Sequence, residues 1–399
     1  MEINSKNELK MSDKSEGFSN IGFIKRICEK VGPRLGTTDQ EKKAGLIIKK
    51  IMEKNLDEVK LEDFTCHPKG FLDFLKVAFI AMCIGTVLFI WFPIISLFFY
   101  LYTLTTFIFE QMFLKEYVDF FFPKRTGTNV IGKLKPKKDI KQIVICSGHH
   151  DSAYEFPLFG KFKSKFGLLA YSTVGSIILS AIASIMKFLL DLLAPTLLSP
   201  ILIIIPVISV IMVGYLAFNI HSANVILGAN DNLSGVAVVL SLAEYFSKNR
   251  LNNVELWFIS FSCEECMRGS KRFAKKHYNE LKETKTVNLD MVGCGEISII
   301  SAEPYYTTKH SLEMAEQFQA VNKDKGIELP IKVVQFGGTD ATNLSKKGFQ
   351  AISIMGLTPK NYPHTWHELK DTPEIIDEKK LQKAEKIIIN YLLALDEQL

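Results

Sequence analysis

Five residues spread along the chain, His149, Asp231, Glu265, Asp290 and His367, are of types that ligate a divalent metal, and each lies in a context suited to that task. His149 opens His-His-Asp after the apolar run Ile143–Ile145, and Asp231 lies in Gly-Ala-Asn-Asp-Asn-Leu-Ser-Gly. Glu264-Glu265 follows the apolar stretch Val254–Phe261, Asp290 ends Val-Asn-Leu-Asp, and His367 stands four residues before Asp371-Thr372. Two zinc ions held close together need nitrogen and oxygen ligands and a carboxylate that bridges them. They also need a carboxylate kept off the metal to take a proton from water. Asp231 is the bridge in this reading. Glu264 is the general base and Glu265 the ligand, because adjacent side chains of an extended or turning segment point in different directions. Asp151, two residues after His149, is placed to accept the spare imidazole N–H and fix the tautomer. Taken singly, a His-x-Asp or a Glu-Glu is ordinary surface or core polarity; the joint occurrence in this order carries the reading.

These residues sit in blocks that resemble a known family. The blocks are Gly148-His149-His150-Asp151-Ser152, Gly228-Ala229-Asn230-Asp231-Asn232-Leu233-Ser234-Gly235, Glu264-Glu265 with Gly269-Ser270, Asn288-Leu289-Asp290-Met291-Val292-Gly293, Gly338-Thr339-Asp340, and His367 with Asp371-Thr372. In order and content they are similar to the co-catalytic dizinc aminopeptidases of peptidase family M28, whose relatives include glutamate carboxypeptidases and glutaminyl cyclases. The resemblance spans roughly residues 20–70, 115–155 and 222–399. It implies His149 and Asp290 on one zinc, Glu265 and His367 on the other, Asp231 between them and Glu264 as base. Other divalent metals suit the same donor set. His364-Thr365 resembles the family's common His-Thr pair and stands as the alternative last ligand, although the spacing to Asp371 favours His367. Asp340 and Asn232 are weaker substrate-pocket candidates, Asn232 with a bracing role for Asp231 as the more ordinary reading. Three residues, Cys266-Met267-Arg268, separate the Glu pair from Gly-Ser where the family often carries four.

Elements able to position such a set read as α/β. Ile21–Val31 and Asp39–Asn55 have helical apolar spacing, as do Ser234–Lys248 and Ile375–Glu397. Asn129–Leu134, Val144–Cys146, Glu255–Phe261, Lys285–Asp290 and Ala351–Met355 are short apolar runs of the buried-strand kind. The expected fold is a zinc-exopeptidase-like mixed sheet sandwiched by helices, with the ligands at strand ends, where open α/β sheets place their sites.

The composition adds a second theme. Of 399 residues 47% are hydrophobic, and mean hydropathy is +0.13, high for a soluble enzyme. The excess is concentrated in Val77–Leu114, broken at Trp91-Phe92-Pro93, and in Leu168–Met186 and Leu197–Phe218, separated by Lys187, Asp191 and Pro195. We read these as two transmembrane hairpins, four spans in all, inserted into connections of one catalytic domain. The organisation expected is a disordered N-terminus (1–19), catalytic parts at 20–70, 115–160 and 221–399, and hairpins at 71–114 and 161–220. An even number of crossings returns every catalytic part to one side. Lys69, Lys76, Lys115, Lys124, Arg125, Lys161, Lys163 and Lys165 flank the spans there, so the positive-inside tendency makes that side cytoplasmic.

Net charge is +5, and its excess near the spans suits anionic headgroups; no nucleic-acid motif is present. The polar N-terminus does not read as a secretory signal, and seven cysteines in that context read as reduced thiols. Cys263-x-x-Cys266 has the spacing of a redox motif or zinc knuckle but no second pair, and packing is the plainer reading. The expected activity is a membrane-bound dizinc aminopeptidase acting on peptides. A glutaminyl-cyclase-like zinc enzyme and a non-catalytic membrane scaffold or receptor retaining the fold are the alternatives. Side-chain preference and oligomeric state are not written in the chain.

Overall fold

The computed structural model describes residues 18–193 and 198–399; residues 1–17 of the expected disordered N-terminus and Pro195 fall outside these, whereas Ser19, also expected to be disordered, is ordered as the cap of the first helix, its hydroxyl accepting from the Gly22 N–H at 3.1 Å. Helices α1 (Asn20–Lys30) and α2 (Asp39–Met52) precede strand β1 (Glu58–Cys66). A first apolar pair follows, α3 (Gly70–Leu88) and α4 (Pro93–Phe107), the latter prolonged by a π-helical turn, Ile108–Met112. Strands β2 (Arg125–Leu134) and β3 (Gln142–His149) lead to a second apolar pair, α5 (Phe166–Leu193) and α6 (Ile204–Asn219). Then come α7 (Ser234–Lys248), β4 (Val254–Phe261), α8 (Gly269–Lys276), β5 (Lys285–Asp290), β6 (Glu296–Glu303), β7 (Thr308–Lys309) and α9 (Leu312–Asp324). Strand β8 (Ile331–Val333), α10 (Asp340–Lys347), β9 (Gln350–Leu357) and α11 (Glu378–Glu397) complete the order.

The strands form one mixed sheet in the order β1-β2-β4-β3-β5-β9-β6-β7, with β8 beside β6. Its centre, β4-β3-β5-β9, is parallel, and β1-β2 and β6-β7 are antiparallel flanks. Parallel strands are covered on both faces, which is why Val254–Phe261 is apolar at nearly every position. Successive residues alternate between two cores. Leu256 and Phe258 join Val144 and Cys146 beneath α1, α2, α7, α9 and α11, whereas Trp257 and Ile259 join Ile145 beneath α8 and α10. Helix α2 begins at Thr38, whose hydroxyl accepts from the Glu41 N–H, while the Glu41 carboxylate accepts from the Thr37 N–H at 2.6 Å. The same buried carboxylate accepts from the Ser262 hydroxyl and the Cys263 N–H, tying α2 to the segment just before Glu264.

The four apolar helices pack as a bundle in which α3 and α5 each contact α4 and α6. Its interior mixes apolar side chains such as Met82, Ile177 and Val213 with small hydroxyl residues, and its outer surface is apolar. Ser96, Thr103, Thr106, Ser176, Ser180 and Ser209 are buried inside, while Ile80, Val87, Phe98, Leu179 and Ile211 face outward. The Ser209 hydroxyl donates to the Ser176 carbonyl at 2.6 Å and lies 2.8 Å from the Ser180 hydroxyl, so α5 and α6 are joined by hydrogen bonds. Small polar interiors of this kind are how helices associate in lipid.

Two details of the expected spans differ. Helix α5 does not stop at Met186 but runs 28 residues, about 42 Å, because Lys187 and Asp191 pair one turn apart at 2.6 Å. The fourth segment is shorter than expected. Pro206 has no N–H to return to the Leu202 carbonyl, the chain breaks at Leu202-Ile203, and the helix that follows has 16 residues. Among the described residues three helices, Gly70–Leu88, Pro93–Met112 and Phe166–Leu193, are long and apolar enough to cross a membrane.

Candidate active site

The parallel strands deliver the candidate residues to one edge of the sheet. His149 is the last residue of β3, Asp290 the last of β5, and Glu264-Glu265 begin three residues past the end of β4. Asp231 sits in the turn before α7, and the Asp231–Asn232 peptide is cis. His367 comes from the loop between β9 and α11.

His149 Nε2 lies 3.3 Å from Asp231 Oδ1, 3.6 Å from Glu264 Oε2 and 3.7 Å from Asp290 Oδ2. Its Nδ1 faces Asp151 Oδ1 at 3.4 Å, which turns Nε2 toward the carboxylates. His367 Nε2 lies 2.9 Å from Glu265 Oε2 and 3.4 Å from Asp231 Oδ2. Two groups of donor atoms, His149–Asp231–Asp290 and Asp231–Glu265–His367, are therefore each close enough to share an ion, and Asp231 belongs to both. A third, His149–Glu264–Glu265, meets the same distance condition. His364, the alternative, is exposed and offers only its carbonyl, 3.5 Å from the Asn230 amide nitrogen.

The charges crowd. Burial, reinforced by neighbouring carboxylates, raises Glu264 and Asp290 well above the ordinary carboxylate range. Burial also opposes ionisation of Asp231, but the facing His149 and His367 outweigh it and hold Asp231 low. His149 is driven the other way: burial alone would keep it neutral, and Glu264, Asp151 and Asp231 raise it far above its usual value. Both ring nitrogens of His149, Asp231 Oδ2, Glu264 Oε1, Glu265 Oε1 and His367 Nδ1 are buried without a hydrogen-bond partner. Convergent, unpaired N and O donors with excess negative charge fit a divalent cation of the zinc type.

The surrounding residues hold this arrangement through the backbone. Asp151 accepts from the N–H groups of Glu264 and Glu265 at 3.1 and 3.2 Å, so it orients the Glu pair as well as His149. Asn232 does not line the cavity described below; its amide donates to the Leu289 carbonyl and accepts from the N–H groups of Gly235 and Met291, joining the Asp231 turn to the end of β5. Asp340 is likewise absent from the cavity wall, where Gly338 and Thr339 stand instead; it is wholly buried at the start of α10, and burial pushes it up to about 7. Cys263, Met267, Met291 and His367 all adopt left-handed backbone beside the site. All seven cysteines are free.

Two residues without a role in the sequence reading complete the frame. The buried Arg34 guanidinium donates to the carbonyls of His150 (2.6 Å), Gly228 (2.7 Å) and Leu227, clipping the His149 loop to the Asp231 turn. Asp371 accepts from the backbone N–H groups of Asn230 (2.7 Å) and Asp231 (2.9 Å), one per oxygen. Arg34 lies in Gly-Pro-Arg-Leu-Gly, where a single arginine reads as a surface loop residue, whereas Asp371 was visible as part of a motif but not as a brace.

A cavity opens over Asp231, Glu264, Glu265, Asp290 and His367. On the sheet side its wall is aromatic, with Phe156, Tyr305, Tyr306, Phe336 and Trp366. On the other side it is built from the ends of the four apolar helices.

Residues 210–392 match the model of peptidase family M28. No curated protein sequence matches the chain. Among solved structures, the chain is similar to BSAP, a zinc aminopeptidase from Bacillus subtilis (TM-score 0.55, 16% identity, 95% of this chain and 96% of that one). It is similar also to a Zn-dependent exopeptidase from Parabacteroides distasonis ATCC 8503 (TM-score 0.54, 15% identity, 95% and 99%). A glutaminyl cyclase from Tannerella forsythia is a third (TM-score 0.53, 13% identity, 94% and 96%). At these identities the likeness is one of fold alone.

Proposed function

We propose that the whole chain is a membrane-bound M28 peptidase that removes N-terminal residues from peptides with two zinc ions. One observation carries this reading: two donor groups share Asp231 as their common member, with Glu264 beside them. His149 and Asp290 would hold one ion, Glu265 and His367 the other, with Asp231 between. Bound zinc would supply Lewis acidity toward the scissile carbonyl and toward a water nucleophile. Glu264, whose burial raises it well above the ordinary carboxylate range, takes the proton from that water and delivers it to the leaving amine. Asp151 keeps His149 and the Glu pair in register, and Asp371 and Arg34 hold the Asp231 turn.

In this proposal the catalytic domain is assembled from residues 20–70, 115–160 and 221–399, and the two hairpins anchor it. The outward apolar faces and small polar interior of the bundle support spanning, and the lysines and arginine near its catalytic end support a cytoplasmic domain. Metal analysis of the purified protein followed by a panel of free and N-blocked peptides tests the activity. About two zincs per chain and strict dependence on a free N-terminus are expected. Cleavage of blocked peptides would remove the aminopeptidase assignment, and cyclisation of an N-terminal glutamine in place of hydrolysis would move the enzyme to the glutaminyl-cyclase class.

A further inference from the structure

The cavity has one polar pole and a long apolar remainder. The metal-site candidates form the pole. Opposite them stand Phe71, Phe74 and Leu75 at the start of α3, Phe107 at the end of α4, Phe166 at the start of α5 and Leu216 near the end of α6. These are the ends of all four helices that lie nearest the sheet. The bundle therefore does more than tether the domain; it supplies a wall of the site.

That wall offers almost nothing to a polar ligand. Among the described lining residues, Gln111 is the polar side chain that the four helices contribute, and its hydrogen-bonding groups are engaged within the protein. Its amide nitrogen donates to the Phe71 carbonyl at 3.0 Å, and its oxygen accepts from the Tyr305 hydroxyl at 3.2 Å. A polar or charged side chain placed there would lose its water without a partner, whereas an apolar one would be taken from water into matching surface.

Resting on the peptidase reading, we infer that the site selects peptides whose first residue is followed by a run of large apolar residues. The first residue's amine and carbonyl lie at the carboxylate–histidine pole, and the run lies against the inner ends of the four helices. Such a peptide partitions into the bilayer beside those helices, so substrate and enzyme meet at the membrane surface.

The full-length, zinc-loaded protein in lipid vesicles is given two peptides that share the same first residue and a basic C-terminal tag. In one the next four residues are Leu, Phe, Ile and Leu; in the other they are Ser, Asn, Gln and Ser. The peptides are compared at equal membrane-bound concentration, so that partitioning is not counted as recognition. The apolar peptide should show a kcat/KM at least about 100-fold higher, and Phe166→Gln or Leu216→Gln should lower that ratio by about tenfold each. A second readout does not depend on turnover. Analogues with the first amide reduced are titrated in chelator while Trp366 emission is followed, with Trp366→Phe as the blank; the apolar analogue should bind with the same preference. Equal binding, or tighter binding of the polar analogue, overturns the inference whatever the activity. Failure to cleave either peptide or a simple leucine amide, with apolar binding intact, overturns the peptidase reading and leaves the cavity's preference standing.

Discussion

Asp371 grips the Asp231 turn by two backbone N–H groups, and Asp371→Asn tests whether that grip is what shapes the metal site. The substitution preserves volume, keeps one accepting oxygen and turns an amino group toward the N–H of either Asn230 or Asp231. Burial pushes Asp371 up to about 7, so at a pH above that, where it is ionised, one charge-assisted hydrogen bond is lost and a buried donor is left facing another donor, a cost of about 1.5–3 kcal/mol. Because Asp231 belongs to both donor groups, the cost falls on the geometry that each ion requires. At 1.4 kcal/mol per decade this is about a 10- to 100-fold loss of metal affinity, the range typical when a group bracing a ligand is altered. The fold supplies its own control. Asp396 accepts from the consecutive N–H groups of Asn252 and Asn253, both at 2.7 Å, but in α11 and the loop before β4, away from the site. Asp396→Asn should lose a similar bond and leave metal affinity unchanged. Zinc competition against a chelator of known affinity measures both variants. Wild-type affinity in Asp371→Asn, or an equal loss in Asp396→Asn, would refute the reasoning.

Four further outcomes are expected. Glu264→Gln should keep its zinc but lose about 10²- to 10⁴-fold in turnover; near-normal turnover removes Glu264 as the base. His367→Ala should lose metal, whereas the exposed His364 tolerates alanine, and atomic absorption on the two proteins would show the reverse if His364 were the ligand. Glu62 is held down to about 2, against the burial that would raise it, by His277 (2.9 Å) and Lys276 (2.8 Å). Since its folded pKa lies below the ordinary 4.5, its stabilisation is complete above 4.5 and disappears as pH falls toward 2; acid unfolding of Glu62→Gln should lose that dependence, and an unchanged profile would discount the cluster. A cysteine at Trp91, exposed in the α3–α4 turn, should react with an impermeant thiol reagent from outside intact cells while one placed near the C-terminus does not; the opposite pattern reverses the proposed orientation.

What was legible beforehand follows the physics of each element. Strands β3, β4, β5 and β9 are buried on both faces, so their apolar runs announce them, and α7 carries a full helical pattern of small and apolar residues. β1 is an edge strand reading Glu-Val-Lys-Leu-Glu-Asp-Phe-Thr-Cys, with half its side chains in water, and no local pattern distinguishes it from a loop. Strand order depends on pairing between residues far apart, such as Val130 with Ser260, and is invisible locally. Among candidate site residues, donor types in ordered blocks could be read directly. The roles of Arg34 and Asp371 could not, because both act on carbonyl and amide groups that every residue carries.

Each apolar hairpin leaves and rejoins the catalytic domain at a narrow stem. Cys66 and Arg125 are paired across the first, and Tyr154 and Val225 across the second. The central strand β3 has as neighbours only β4 and β5, both made after the second hairpin. For hairpins inserted as the chain is synthesised, biogenesis therefore has a fixed sequence. On the proposed membrane reading, the bundle would be in place before the sheet has a middle, and the sheet would close onto a roof already built. A chain cut short before residue 254 would hold both apolar helix pairs and neither strand that flanks β3.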